Sequence, residues 1–221
     1  GVPLASITRF RCSGDGKYLI ASDSTSSLNG RFFTSTTGGG SQAWTQRLLN
    51  SPSAGRTSGV CMSRSGAVQY IAWAGTSNSA VYASYDYGAT FNSIQGNFSD
   101  GATWDRLECD ATGRFLYATR YSVITATHRT WRNDNYGDAY SWTEITGFSG
   151  AEDIWVSATG QFVAVVSSPL SGGVSYVFYS SDYGRIWSGT NMGTSTTFRS
   201  MNGSADGSIL VLGSVAVEEA G

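Results

Sequence analysis

The stretch IWVSATGQFVAVV, residues 154–166, decides the fold of this chain because related stretches occur four more times. The others begin at Phe10, Val60, Leu107 and Met201. Each stretch has apolar or small residues at alternate positions, then a turn that contains glycine, then an apolar run. The alternation is typical of a half-buried β-strand, and the apolar run is typical of a strand buried on both faces. Each stretch therefore predicts a β-hairpin.

These hairpins recur at a nearly constant spacing. Their turn glycines are Gly16, Gly66, Gly113, Gly160 and Gly207, so the successive spacings are 50, 47, 47 and 47 residues. A strand-rich repeat of this length is typical of the blades of a β-propeller. The sequence predicts a single all-β domain over residues 1–221, a β-propeller of five four-stranded blades of about 47 residues each.

A second motif lies between successive hairpins. It reads SYDYGATF over residues 84–91 and SSDYGRIW over residues 180–187. The positions that match between the two copies are Ser84, Asp86, Gly88 and Phe91 in the first and Ser180, Asp182, Gly184 and Trp187 in the second. A longer third copy, RNDNYGDAYSW, supplies Asp134, Gly137 and Trp142, and a first copy that ends at Trp44 lacks the aspartate.

These copies resemble the Asp-box repeat, also called the BNR repeat, with the pattern S-x-D-x-G-x-T-W. The resemblance implies a β-propeller of the kind found in sialidases, sortilin-type receptors, photosystem II assembly factors, and phage and algal surface proteins. An aspartate at the start of a tight turn accepts hydrogen bonds from backbone N–H groups within that turn. We therefore expect the box residues to be structural, with no metal bound to them.

The ends of the chain bear on how the ring closes. The sequence has five hairpins at the turn glycines but only four copies of the second motif, each of which predicts a further hairpin between them. Val215–Val217 predicts a short strand after a turn at Gly213 and Ser214, and residues 1–6 predict a strand beside it. The N- and C-terminal strands would then share the fifth blade. The alternative is that the chain, which begins at Gly1 without Met, is a piece of a longer propeller.

Composition argues against several classes of function. The net charge is −2 and no basic cluster occurs, which argues against nucleic-acid binding. No apolar run is long enough for membrane insertion. Three cysteines without CxxC spacing and the single His128 favour neither a zinc site nor a catalytic triad, so no metal or cofactor is expected. An extracellular, surface-exposed or lumenal location is favoured over a cytoplasmic one.

Charged residues gather just before the first strand of the repeats. They are Arg9, Arg56, Asp105, Arg106, Glu152, Asp153 and Arg199. The usual strand order of a propeller places them near the channel, on the loop face opposite the Asp boxes. Trp104, beside Asp105, and Trp73, at the end of a strand, are candidate rings for stacking on a sugar. The sequence thus predicts a non-enzymatic recognition or scaffold module that binds a glycan or a partner protein through this face.

Two alternatives remain. One is a structural subunit of a larger assembly such as a virion, a surface layer or a membrane complex. The other, implied by the resemblance, is a sialidase-like glycoside hydrolase in which Arg9, Arg106 and Arg199 hold a carboxylate and Glu152 or Asp153 supplies acid–base chemistry. Against the second alternative, Thr8–Arg11 replaces the Arg-Ile-Pro signature, and five blades leave no long catalytic insertions.

Overall fold

The computed structural model describes most of the chain. The described residues are 6–25, 30–40, 43–50, 54–75, 79–94, 102–122, 127–148, 150–167, 174–193 and 196–216. Within these ranges the regular structure is β-strand, and they contain no helix long and apolar enough to span a membrane.

Eighteen strands form five antiparallel sheets, which we number as blades one to five. Blade one contains β1 (Ile7–Cys12), β2 (Leu19–Asp23), β3 (Arg31–Ser35) and β4 (Thr45–Leu48). Blade two contains β5 (Gly55–Met62), β6 (Gln69–Gly75), β7 (Ser79–Ser84) and β8 (Asn92–Ser93). Blade three contains β9 (Thr103–Cys109), β10 (Leu116–Ser122), β11 (Thr127–Asn133) and β12 (Trp142–Ile145). Blade four contains β13 (Ala151–Val156), β14 (Val163–Ser167), β15 (Tyr176–Ser180) and β16 (Ser188–Asn191). Blade five contains β17 (Thr196–Gly203) and β18 (Leu210–Ala216).

The first strands of the blades form the inner wall of the molecule. They contact one another in chain order, β1 with β5, β5 with β9, β9 with β13, and β13 with β17. In each complete blade the later strands pair outward from this wall in sequence order. The predicted β-propeller architecture is therefore confirmed.

The fifth blade differs from the sequence prediction in one respect. β18 continues through the predicted turn, with Gly213 paired to Ser200 and Ser214 paired to Phe198. The prediction of a turn there was wrong because the pairing of β18 with β17 continues to Val215 and Ala216. Residues 1–5 and 217–221, which were predicted to help close this blade, lie outside the described residues.

The core lies between the blades. Ile20 and Phe32 of blade one pack against Val60 and Ile71 of blade two, and all four are buried. Each second strand carries apolar residues on both faces, so one strand serves two interfaces. Within the described residues, substantial packing joins each blade to the next and none joins blade one to blade five.

The turn glycines take part in every interface between successive blades. All five have positive φ angles of 71–83°, which favour glycine. A Cβ atom on Gly160 would lie 2.6 Å from Cδ2 of Phe115 in blade three. The same relation joins Gly66 to Tyr18, Gly113 to Val68 and Gly207 to Phe162. Each of these four glycines thus leaves space for a bulky residue of the preceding blade. We call the bulky residue the knob and the contact the knob-and-glycine contact.

A row of backbone hydrogen bonds joins the blades at the same turns. The N–H of Gly14 donates to the carbonyl of Arg64 at 2.7 Å, and the N–H of Arg64 donates to the carbonyl of Ala111 at 2.7 Å. Ala111 donates to Ala158 at 2.9 Å, and Ala158 donates to Ala205 at 2.8 Å. We call this row the backbone belt. It fixes the spacing of all five blades without using a side chain.

In two of the predicted Asp boxes, side-chain hydrogen bonds hold the turn in its conformation. In blade two, Ser84 Oγ donates to Asp86 Oδ1 at 2.7 Å and accepts from the N–H of Gly88 at 2.9 Å. Asp86 Oδ1 also accepts from the N–H of Thr90 at 2.9 Å. Ser180, Asp182 and Gly184 repeat the first two contacts in blade four.

The third box is built differently from the prediction. Asn133 takes the place of the serine, and its Oδ1 accepts from the N–H groups of Asn135 and Gly137 at 2.9 Å. Asp134 was predicted as the box aspartate, but its carboxylate lies 2.8 Å from Arg132 Nε and 3.6 Å from Arg185. The assignment was wrong by one residue because Asn135 occupies the position that aspartate holds in the other two copies.

Candidate functional site

Every first strand carries a β-bulge at the same position, eight residues before its turn glycine. In β9, Trp104 pairs with Arg120 and Arg106 pairs with Thr119, so Asp105 is left between them. The corresponding bulge residues are Thr8, Ser58, Glu152 and Arg199. A bulge bends a strand and redirects the side chains beside it. The five bulges therefore form a set of equivalent side-chain positions around one end of the channel.

The predicted charged residues occupy these bulges and the positions that follow them. Asp105, Glu152 and Arg199 are bulge residues, and Arg9, Arg106 and Asp153 come directly after a bulge. In blade two the same two positions hold Ser58 and Gly59. A Cβ atom on Gly59 would lie 2.8 Å from the carbonyl oxygen of Asp105, so the backbones of blades two and three approach closely there.

A cavity of about 280 Å³ opens at this end between blades one, two and three. It is lined by Thr8, Arg9, Ser24, Arg56, Thr57, Ser58, Asp105 and Arg106. Three of these residues are cationic and one is anionic, which gives the described lining a formal charge of +2. None of the described lining residues is aromatic. The cavity is thus suited to a small anionic group.

Arg106 is held in place by residues of its own blade and the next one. Its Nε donates to the carbonyl of Glu152 at 3.0 Å and lies 3.6 Å from Asp153 Oδ1, and its Nη1 lies 3.1 Å from Asp105 Oδ1. Asp153 in turn accepts from the N–H of Met201 in blade five at 2.8 Å. The acidic residues therefore orient Arg106 and tie blades three, four and five together.

Arg9 and Arg56 differ from Arg106 because neither forms an ion pair within the described part of the chain. Burial lowers the pKa of Arg9 below its ordinary value, and the like charge of Arg106 lowers it further. The carboxylates of Asp153 and Asp105 act in the opposite direction, but the net effect is a lowered pKa. An anion that enters the cavity would offset both effects, because it would replace lost hydration and screen the two guanidinium groups from each other.

The two tryptophans predicted as ligand contacts do not face this cavity. Trp104 lies within β9 rather than on a loop, and both Trp104 and Trp73 are 1% exposed. The ring of Trp104 lies 5.1 Å from the ring of Trp142, and the guanidinium carbon of Arg120 lies 4.7 Å from its centroid. The burial of both rings contradicts their predicted role as rings that stack on a sugar.

The residues of the sialidase-like alternative are only partly brought together. Arg9 and Arg106 share the cavity, whereas Arg199 lies outside its lining and pairs with Glu152 Oε2 at 3.0 Å. Glu152 and Asp153 both hold arginines of neighbouring strands. Among the described residues, no cluster of His, Cys, Asp and Glu could hold a metal ion. That the chain is not an enzyme stays a prediction.

Arg56 was not predicted as a site residue, although the sequence places it among the charged residues before a first strand. It precedes the bulge at Ser58 by two residues and lines the cavity beside Arg9. The signal that could have found it is its distance from the turn glycine Gly66, which places it at the same end of the channel as the other charges.

Comparisons with known proteins identify the fold. No protein-family model and no curated protein matches the sequence. The structure titled YCF48 bound to D1 peptide matches with a TM-score of 0.59 at 16% identity, over 90% of this chain and 57% of that chain. The GH74 enzyme of Niastella koreensis matches with a TM-score of 0.61 at 20% identity, over 83% of this chain and 29% of that chain.

A structure of the nidogen/laminin complex also matches, with a TM-score of 0.65 at 11% identity, over 96% of this chain and 73% of that chain. The chain thus spans little more than half of the YCF48 chain and less than a third of the GH74 chain. Together with the five sheets around a common channel, these likenesses show that the chain has a β-propeller fold.

Proposed function

We propose that this propeller is a protein-recognition module that binds an acidic segment of a partner protein at the cavity between blades one, two and three. The observation that carries the proposal is the pair Arg9 and Arg56, neither of which forms an ion pair with a described residue, in a cavity already lined by Arg106. Guanidinium groups bind carboxylates through charge-assisted and often bidentate hydrogen bonds.

The size and lining of the cavity favour a carboxylate over a sugar ring as the bound group. Its volume of about 280 Å³ suits one or two acidic side chains. Sugar recognition commonly uses an exposed aromatic ring, and the described residues that line this cavity include none. Two of the structural neighbours, YCF48 bound to D1 peptide and the nidogen/laminin complex, are complexes with a peptide or a protein, which supports the proposal.

The proposal is tested with a short fluorescein-labelled peptide of alternating aspartate and glutamate, whose binding is followed by fluorescence anisotropy. We expect saturable binding that weakens as salt is added, because the contacts are electrostatic. Arg9→Gln and Arg56→Gln should each weaken binding by about 10-fold, the effect of losing one charge-assisted hydrogen bond.

The matched control is Arg129→Gln, because Arg129 lies on β11 and pairs with Glu144 of β12, away from the cavity. This variant has the same change of charge and should bind the peptide as the original protein does. Equal loss of binding in all three variants would show that only net charge matters, and that result would refute a specific site. A labelled peptide in which glutamine and asparagine replace the acids should not bind.

A further inference from the structure

Among the described residues, the knob position of blade five and the glycine position of blade one have no partner for a knob-and-glycine contact. The knob position of blade five is Ile209, and its side chain is 60% exposed. The glycine position of blade one is Gly16, and a Cβ atom there would meet none of the described residues within 4 Å. At all four interfaces between successive blades the glycine instead meets a bulky side chain at 2.6–2.8 Å.

The backbone belt is incomplete at the same two places. Ala205 accepts from Ala158, but its own N–H finds no acceptor among the described residues. Gly14 donates to Arg64, and its carbonyl receives no backbone hydrogen bond there. With respect to the described residues, blade five therefore presents a free donor where blades one to four present a bonded donor. Blade one likewise presents an acceptor that no described N–H reaches, where the later blades present a bonded acceptor.

The apolar residues beside these groups are also uncovered. Phe10 in β1 is 47% exposed, whereas each residue at the same position of the other blades is under 10% exposed. Those residues are Val60, Leu107, Ile154 and Met201. On the outer face of β18, Val211 is exposed as well. Farther out on the face of blade one, Ala21 and Phe33 are buried, so the uncovered part is the first strand and its turn.

We propose that blade five and blade one are docking surfaces for one further repeat of the same type, whose first hairpin fits between them. Such a repeat has the required chemistry. Its belt carbonyl would accept from Ala205, and its turn glycine would receive Ile209. Its own knob residue would fill the space over Gly16, and its belt N–H would donate to the carbonyl of Gly14. The surfaces continue the four blade interfaces already in the molecule.

The test measures amide hydrogen exchange at the belt positions by NMR. In the chain as it is, we expect the Arg64, Ala111 and Ala158 amides to exchange slowly and the Ala205 amide to exchange quickly. A second protein carries a copy of residues 168–216 inserted after Ala216, which adds one repeat. In that protein the Ala205 amide should become as slow as the other three, and the Tm should rise.

Two variants make the result specific to the proposed contact. Replacing the copied Gly207 by valine in the extended chain should leave the Ala205 amide fast, because the copied turn could no longer receive Ile209. Ile209→Ala should lower the Tm of the extended chain and leave that of the original chain unchanged. If the extended chain does not fold, an Ile209→Ala variant of the original chain that loses Tm would overturn the proposal, because Ile209 would already be covered.

The same exchange measurement would also detect two other occupants of these surfaces. Slow exchange at Ala205 in the monomeric original chain would mean that the chain covers the surface with its own residues, and this overturns the proposal. Slow exchange that appears only with a doubled mass in sedimentation would assign the surface to a second copy, and this overturns it too. Fast exchange in a folded extended chain would likewise refute it.

Discussion

At the scale of single residues, the turn glycines have two separate requirements. A positive φ angle disfavours any other residue, and the knob of the preceding blade occupies the space where a Cβ atom would lie. Gly16 has only the first requirement, because no residue in the described part of the chain lies within 4 Å of its Cβ position. The two requirements can therefore be measured separately in one protein.

We expect Gly160→Ala to lower the free energy of unfolding by about 2–4 kcal/mol, as the sum of a backbone cost and an overpacking cost. Gly16→Ala should cost only about 1–2 kcal/mol, the backbone part alone. Urea denaturation of both variants gives the comparison. Equal losses would contradict the packing role assigned to Gly160.

Asp86 links the stability of the fold to acidity. The hydroxyl of Thr90, and then its backbone N–H, stabilise the charged form and lower the pKa of Asp86 to about 2 from an ordinary value of 3.8. The folded chain therefore binds fewer protons than the unfolded chain between these values. Stability contributed by this carboxylate is present above pH 4 and is lost as the pH falls toward 2.

Asp86→Asn should accordingly be less stable than the original protein at pH 6, and the difference in Tm should disappear near pH 2. Thermal unfolding followed by circular dichroism over this pH range measures the difference. A difference that stays constant down to pH 2 would show that the carboxylate charge does not contribute. Thr90→Val, which removes the hydroxyl, should also reduce the pH dependence.

At the scale of the element, the boxes connect neighbouring blades as well as their own strands. Tyr183 follows the box aspartate of blade four and has a φ angle of +63°, which is unusual for a residue with a side chain. Its N–H donates to the carbonyl of Gln161, and its ring lies 4.8 Å from that of Phe115 in blade three. The ring contact offsets part of the backbone cost.

A double-mutant cycle on Phe115 and Tyr183 measures this contact between blades. We expect Phe115→Leu and Tyr183→Leu to show a coupling of about 0.5–1.5 kcal/mol, the usual value for a pair of aromatic rings. Tyr183→Leu paired with Tyr18→Leu is the control, because Tyr18 stacks on Tyr87 at a different interface. Coupling as large in the control pair would mean that the first coupling is not a direct contact.

The strands and turns could be predicted from the sequence because each is encoded locally. Alternating apolar residues and the glycines identified the hairpins, and the period of 47 residues identified the blades. The bulges could not be predicted, since a bulge is defined only against the partner strand. The same limit hid the burial of Trp104, which depends on Trp142 and on the packing of blade two.

Only part of the site could be predicted from the sequence, because its contacts also depend on partner strands. Arg9, Asp105 and Arg106 were found because charges stand out before apolar strands, and all three line the cavity. Arg199, Glu152 and Asp153 share that signal but are engaged in ion pairs between neighbouring blades. Sequence spacing gives the position along a strand but not which carboxylate will neutralise which arginine.

At the scale of the whole molecule, stability should fall from the middle blades toward the fifth. β14 of blade four is buried along its whole length, whereas the described side chains of β18 are half-buried or exposed. Local opening should therefore require less free energy in blade five.

We expect the amides of Val211 and Leu212 to exchange at least about 10-fold faster than those of Ala164 and Val165, which hold the same positions in blade four. Native-state hydrogen exchange at low denaturant measures the difference. Equal rates would mean that the five blades open together as one unit. The amides of Ile71 and Ala72 in blade two provide a second reference, since both residues are fully buried.

The backbone belt has a consequence for how such a chain can change over generations. Mutation replaces side chains, but each belt bond joins one main-chain N–H to one main-chain oxygen. Proline alone would remove the donor, and none of the three prolines lies at a belt position. The side chains of successive repeats can therefore diverge until little more than the turn glycine is shared. The main-chain hydrogen bonds would still position each blade beside its neighbours.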